Sequence, residues 1–300
     1  MSKITQLNSV TQYNHLRGVK TLHPLVTMLD LSKAVPMPAQ NFHFGLYAIY
    51  LKELECGELS YGRSKYDYQE GTLVFIAPGQ VLGIQPKVKT FQPKGWALLF
   101  DPEFIRGTSL GRIMKDYNFF SYDVNEALHI SDNERNIIVD CFKKIQFELE
   151  SGIDKHSRTL ISSNIELFLN YCQRFYDRQF ITRENTNKGL LEKFENLLLA
   201  YFNSDLLLKN GIPTVSYCAK ELNLSTNYFG DLVKKESGVS ALDYIRTAVI
   251  NRAKDKILES NKSVSDVAYE LGFRYPQHFT RLFKLKVGVP PTQYKRLVNN

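Results

Sequence analysis

Between Ser263 and Lys284 the chain reads SVSDVAYELGFRYPQHFTRLFK. Phe279, Leu282 and Phe283 recur there at helical spacing, so Gln277, His278, Thr280, Arg281 and Lys284 point away from that stripe. An amide, an imidazole, a hydroxyl, a guanidinium and an ammonium form a surface rich in hydrogen-bond donors with positive charge. The whole chain of 300 residues is net +7, and residues 190–300 hold 16 Lys/Arg against 11 Asp/Glu, five of that excess. A basic final third suits a partner with a phosphate backbone.

Other chemistries find little to work with. The six histidines, His15, His23, His43, His129, His156 and His278, are never closer than eight residues, so no metal-ligand spacing appears. The four cysteines, Cys56, Cys141, Cys172 and Cys218, form no CxxC pair and read as reduced, mostly buried thiols. Neither a Ser/His/Asp arrangement nor a phosphate loop nor a dinucleotide fingerprint is present. The protein is expected not to be an enzyme, with no metal and no cofactor. No apolar run approaches the roughly 18 residues that cross a bilayer. The first residues lack the apolar core of a secretory signal, so a cytosolic protein is expected.

The elements that position the outward set follow from capping and periodicity. Ser263 and Asp266 are spaced for a helix start, Val264, Val267, Ala268 and Leu271 share one face, and Gly272 stands where a left-handed stop is wanted. Pro276 is tolerated in the first turn of the second helix. Upstream, TVSYCAKELNLSTNYFGDLVKKESG repeats the scaffold: Thr214 starts a helix, and Val215, Cys218, Ala219 and Leu222 copy the apolar spacing. Leu224 stands for Phe273, and Phe229, Leu232 and Val233 for Phe279, Leu282 and Phe283. Between the copies, SALDYIRTAVINRAKDKILESN predicts one continuous helix, with Ser240 and Asp243 as a capping box and Leu242, Ile245, Val249, Ala253 and Ile257 as its stripe. If each second helix enters a major groove, the two meet DNA one helical turn, roughly 34 Å, apart.

Two helix-turn-helix units, a joining helix, and the segments VAYELGF (267–273), HFTRLFK (278–284) and GVPPTQYKR (288–296) coincide. Together they resemble the DNA-binding domain of AraC/XylS-type transcription regulators from about Pro213 to Tyr294. The resemblance implies that Pro276, Gln277, His278, Thr280, Arg281 and Lys284 face DNA, together with Thr226, Asn227, Tyr228 and Asp231 of the first unit. Side-chain chemistry agrees: Arg grips guanine O6/N7, Gln suits adenine, and Thr serves a phosphate or a thymine methyl. The first unit departs from the commoner pattern. Gly230 has no side chain to offer, and Asp231 repels phosphate, so the second unit is expected to carry more of the readout.

The earlier part of the chain reads as short strands. FHFGLYAIYLKEL, GTLVFIAP and GWALLF are rich in aromatic and β-branched residues between turn formers. SDNERNIIVDCFKKIQFELES and SRTLISSNIELFLNYCQRFYDRQF then switch to helical spacing, with Ser131 and Glu134 as a capping box. The expected fold is multidomain α+β, with a small cupin-like β-barrel over about 20–105 and flanking helices over about 131–180. The first domain, 1–180, would sense an effector and dimerise. Residues 181–189 would be the linker, and 190–300 an all-α DNA-binding domain. Candidate effector contacts are His43, Tyr47, Tyr50, Tyr61, Arg63, Tyr66, Tyr68 and Trp96.

The reading is a sequence-specific, homodimeric DNA-binding regulator controlled by a small-molecule effector, with double-stranded DNA and RNA polymerase as partners and no membrane. Two alternatives stay open: control by a protein partner, and a DNA-modifying or cupin-type enzyme with an appended DNA module.

Overall fold

The computed structural model describes residues 4–38, 40–52, 71–83, 90–122, 126–182, 184–259 and 262–299. The chain divides into two compact units, Met1–Thr182 and Arg183–Asn300.

The first unit runs through β1 (Ile4–Leu7), α1 (Val10–Leu16), β2 (Val26–Asp30), β3 (Met37–Pro38), β4 (Asn41–Phe44) and β5 (Tyr47–Lys52). It continues with β6 (Thr72–Ile76), β7 (Val81–Gly83), β8 (Thr90–Phe91), β9 (Gly95–Phe100), α2 (Pro102–Ile105) and α3 (Ser109–Ile113). It ends with β10 (Leu128–His129), α4 (Asp132–Glu150) and α5 (Ser157–Thr182). An antiparallel sheet of order β10-β6-β5-β9-β2 is its backbone.

Strand alternation gives that sheet two apolar faces. Leu29, Ala48, Tyr50, Val74, Ile76, Ala97 and Leu99 pack with Tyr13, Phe42 and Phe44 in one core. The opposite face meets the helical layer, where Phe75 packs against Phe119, Phe120, Phe168 and Tyr176, and Trp96 against Phe142. The Ser131–Glu134 capping box is present. Glu134 also takes Arg178 Nε at 2.8 Å, which ties α5 to the start of α4.

Among the described residues the expected barrel does not close. Among the described residues the strands form three separate sheets, β1-β4-β7, the five-stranded sheet, and β3-β8. Strands of two to four residues are too short to carry a staggered ladder around a barrel, so the packing is layered instead.

The second unit is all helical: α6 (Glu184–Phe202), α7 (Leu206–Asn210), α8 (Val215–Glu221), α9 (Thr226–Ser237), α10 (Ala241–Glu259), α11 (Val264–Glu270), α12 (Pro276–Val287) and α13 (Pro291–Asn299). The boundary between the two units falls within the segment expected as a linker, 181–189, whose described residues belong to α5 and α6. Ile245, Val249, Ala253 and Ile257 of α10 share one core with Phe229 and Val233 of α9, Val267 and Ala268 of α11, and Phe279 and Phe283 of α12.

The two helix-turn-helix turns are closed by residues with positive φ: Asn223 at 58° in the first unit and Gly272 at 77° in the second. Gly272 meets an additional constraint. A Cβ there would lie 2.5 Å from Leu207 O and 2.9 Å from Gly211 Cα, so the end of α7 sits directly on this turn. Gly288, at φ 90°, faces open space. Gly272→Ala is therefore expected to destabilise the protein by ~2 kcal/mol or more, and Gly288→Ala by about 1 kcal/mol. Urea midpoints at unchanged m-value measure both. Equal losses at the two sites would show that the α7 contact adds nothing.

Candidate nucleic-acid interface

Helices α9 and α12 are built alike and differ in what they show to solvent. Ser225 caps α9 by accepting a hydrogen bond from Tyr228 N at 3.2 Å. Helix α12 has no side-chain cap after Tyr275 and starts on Pro276. Both end on left-handed glycines, Gly238 at φ 75° and Gly288 at φ 90°. Phe229, Leu232 and Val233 bury one side of α9, and Phe279 and Phe283 bury one side of α12.

On α12 the outward positions Gln277, His278, Arg281 and Lys284 are exposed, and Pro276 and Thr280 are half-buried beside them. His278 lies edge-on to the Tyr275 ring, centroids 5.5 Å apart. On α9, Thr226 and Asn227 are exposed and Asp231 is half-buried. Gly230 adds no side chain, and a Cβ placed there would meet nothing within 4 Å. Tyr228 is buried, although the matching His278 is exposed. It sits at the margin of the apolar stripe, where an aromatic body is drawn inward and an imidazole can stay in water.

Ion pairs fix how the second unit sits on α10. Lys256 Nζ lies 2.7 Å from Glu270 Oε2, and Lys262 pairs with the other oxygen of the same carboxylate. Lys286 of α12 reaches Asp243 of α10 at 2.8 Å. Asp243 thus supplies only part of the expected capping box: its backbone N–H donates to Ser240 Oγ at 3.2 Å, and its carboxylate serves α12. The Ser263–Asp266 box is complete. Sequence spacing did not reveal the Glu270 and Asp243 bridges, because each joins residues beyond the three- or four-residue reach of a single helix.

Among the described residues, the candidate effector side chains lie on more than one face of the strands. Tyr47 stacks on Phe100 at 5.1 Å and Trp96 lies near Phe142, both on the helix-covered face of the sheet. Tyr50 belongs to the core on the other face. His43 alternates with Phe42 and Phe44 and so points to the side of β4 away from that core. Tyr61, Arg63, Tyr66, Tyr68 and Cys56 lie outside the described residues. Cys141, Cys172 and Cys218 are free and buried. Burial pushes the Cys218 thiol up to about 11, opposite to what a nucleophilic thiolate needs. Among the described residues no group of three or more His, Cys, Asp or Glu is placed to hold a metal ion. No helix among them is long and apolar enough to cross a membrane.

A family model described as a helix-turn-helix domain matches residues 218–297. The uncharacterized HTH-type transcriptional regulator YfiF of Bacillus subtilis is 29% identical over 141 residues, 47% of this chain and 41% of that protein. The transposon Tn10 TetD protein of Escherichia coli is 30% identical over 144 residues, 48% of this chain and 91% of that protein. The C-terminal domain of the two-component response regulator yesN from Fusobacterium nucleatum is similar at 23% identity and TM-score 0.32, covering 36% of this chain and 98% of that one. The chain spans less than half the length of the first curated relatives it matches.

The hydrogen bonds from Lys256 and then Lys262 hold the Glu270 carboxyl below its ordinary range. A depressed carboxylate contributes stability above its unfolded-state pKa, and that contribution fades as pH falls through the folded-state value. Glu270→Gln should therefore lower stability at neutral pH by about 1 kcal/mol or less. Melting curves of wild type and variant should converge as the pH is taken down through the acid range. A gap that stays constant with pH would mean that the charge is not what holds α11 to α10.

Proposed function

Because the chain belongs to the AraC/XylS-type helix-turn-helix regulators, we propose that it binds double-stranded DNA sequence-specifically and regulates transcription, with α9 and α12 as its two recognition helices. The observation that carries this reading is the repeated unit. Two helices with the same buried stripe are joined by α10, and the second shows Gln277, His278, Arg281 and Lys284 to solvent. Both helices present their N-terminal turns, as groove-reading helices do. Arg281 is assigned to a guanine edge, Gln277 to an adenine edge, and Thr280 and Lys284 to phosphates. Asn227 and Thr226 make the lesser contribution of α9. Gly230 lets the DNA backbone approach that helix closely, and Asp231 either discriminates against phosphate or accepts from a cytosine amine.

In this reading the first unit regulates the second through a small-molecule effector, and the active species is a homodimer. Phe147 of α4 and Leu160 and Leu167 of α5 are exposed apolar side chains that such a dimer would cover. RNA polymerase is the further partner at the promoter. An effector acts here only by binding one state of the protein more tightly than another.

Gel-shift titration on the promoter region of the protein's own gene tests the DNA reading. Arg281→Ala should cost about 1–3 kcal/mol of specific binding and relax preference at one base pair. Asp231→Asn should tighten binding to all sequences alike by removing a repulsion. Equal affinity of the wild type for every sequence would overturn the proposal.

A further inference from the structure

The first unit buries a cation that no acid among the described residues neutralises. Arg17 follows α1 and is 0% exposed. Its Nη2 donates to Leu31 O at 3.2 Å, and its Nε and Nη1 are buried with no hydrogen-bond partner. Among the described residues no Asp or Glu pairs with it. The groups that act on the guanidinium besides burial are the phenols of Tyr13 and Tyr50. Tyr13 and Asn14, on the last turn of α1, are also 0% exposed. Asn14 donates to Thr21 Oγ1 at 3.1 Å and leaves its Oδ1 without a partner.

A buried guanidinium left bare is costly, because it has lost water and gained neither a counter-charge nor a full set of acceptors. Four of its five N–H bonds remain for a ligand. We propose that Arg17, with the Tyr13 hydroxyl beside it, is the binding site for a small monocarboxylate. The planar fork of a guanidinium matches the two oxygens of a carboxylate. Charge chooses the class of anion. One cation is balanced by one negative charge, and a phosphate dianion would leave a buried excess. The body of the ligand is compact and apolar, because Leu31, Met37, Phe42 and Phe44 share the core of Tyr13 and Tyr50.

This deepens the effector reading and rests on it only for the regulatory consequence; the site itself stands on the geometry of the first unit. Isothermal titration of the full chain with acetate and benzoate, against sulfate and inorganic phosphate at matched ionic strength, tests it. The expected result is one carboxylate per chain, no binding of the divalent anions, and loss of the signal in Arg17→Met. In carboxylate-free buffer Arg17→Met should melt no lower than wild type. Arg17→Lys keeps the charge without the fork and should weaken binding about tenfold or more. Tyr13→Phe, which keeps the packing, should weaken it severalfold.

Absence of binding by either carboxylate, or equal affinity for phosphate, overturns the site. So does carboxylate affinity that is unchanged in Arg17→Lys and Tyr13→Phe, which holds even where Arg17→Met does not fold. Gel shifts with and without the carboxylate separate the two readings. Carboxylate bound through Arg17 with DNA affinity unchanged keeps the site and removes its effector role. Failure to bind DNA at all removes the regulator reading and leaves the site standing.

Discussion

Helix α10 is the shared wall of two helix-turn-helix units, and the rest of the second unit depends on it. Its buried stripe of Ile245, Val249, Ala253 and Ile257 packs with α9 and with α11 and α12 in one core. At 1.5 Å rise per residue, its 19 residues make a rod about 28 Å long. A rod buried along one stripe has little freedom to bend or rotate. The spacing and phase of α9 and α12 are therefore set by packing. Lys256, Glu270 and Lys262 at one turn, and Asp243 with Lys286 at another, add direction to a contact that hydrophobic burial alone would leave slippery.

The same ion pairs change how the basic charge of this unit is counted. Lys256, Lys262 and Lys286 are committed to carboxylates within the protein, and Arg252 donates to Asn203 Oδ1 at 2.7 Å. The cations left for a polyanion are concentrated where the helices show them, notably Lys234 and Lys235 on α9 and Arg281 and Lys284 on α12. A salt dependence of binding would report that smaller set rather than the net charge of the chain.

Much of the second unit was legible in the sequence because its information is local. The caps at Thr214 and Ser263, the glycine stop at Gly272 and the apolar spacing all act within a few residues. The burial of Tyr228 was not legible, since the margin of a stripe is decided by neighbours in space. In the first unit, β5 and β9 were readable as strands, but both of their faces are apolar. Alternation therefore could not say that Tyr47 and Trp96 turn to the helices while Tyr50 turns to the other core. Arg17 escaped notice for a related reason. A basic residue after a short helix ordinarily reads as a solvated favourable end, and only tertiary packing takes it out of water.

The division of labour within α12 has a consequence for how such a protein changes over generations. Phe279 and Phe283 carry the fold, and Gln277, His278 and Arg281 stand in solvent and carry almost none of it. Substitutions at the exposed positions leave stability nearly untouched. If these side chains read DNA as proposed, a lineage can explore new target sequences through them without first acquiring compensating mutations. Gly272, pressed against Leu207 O, offers no such latitude. In the proposed DNA-reading role, the outward positions can change at little cost in stability, while the frame that aims them cannot.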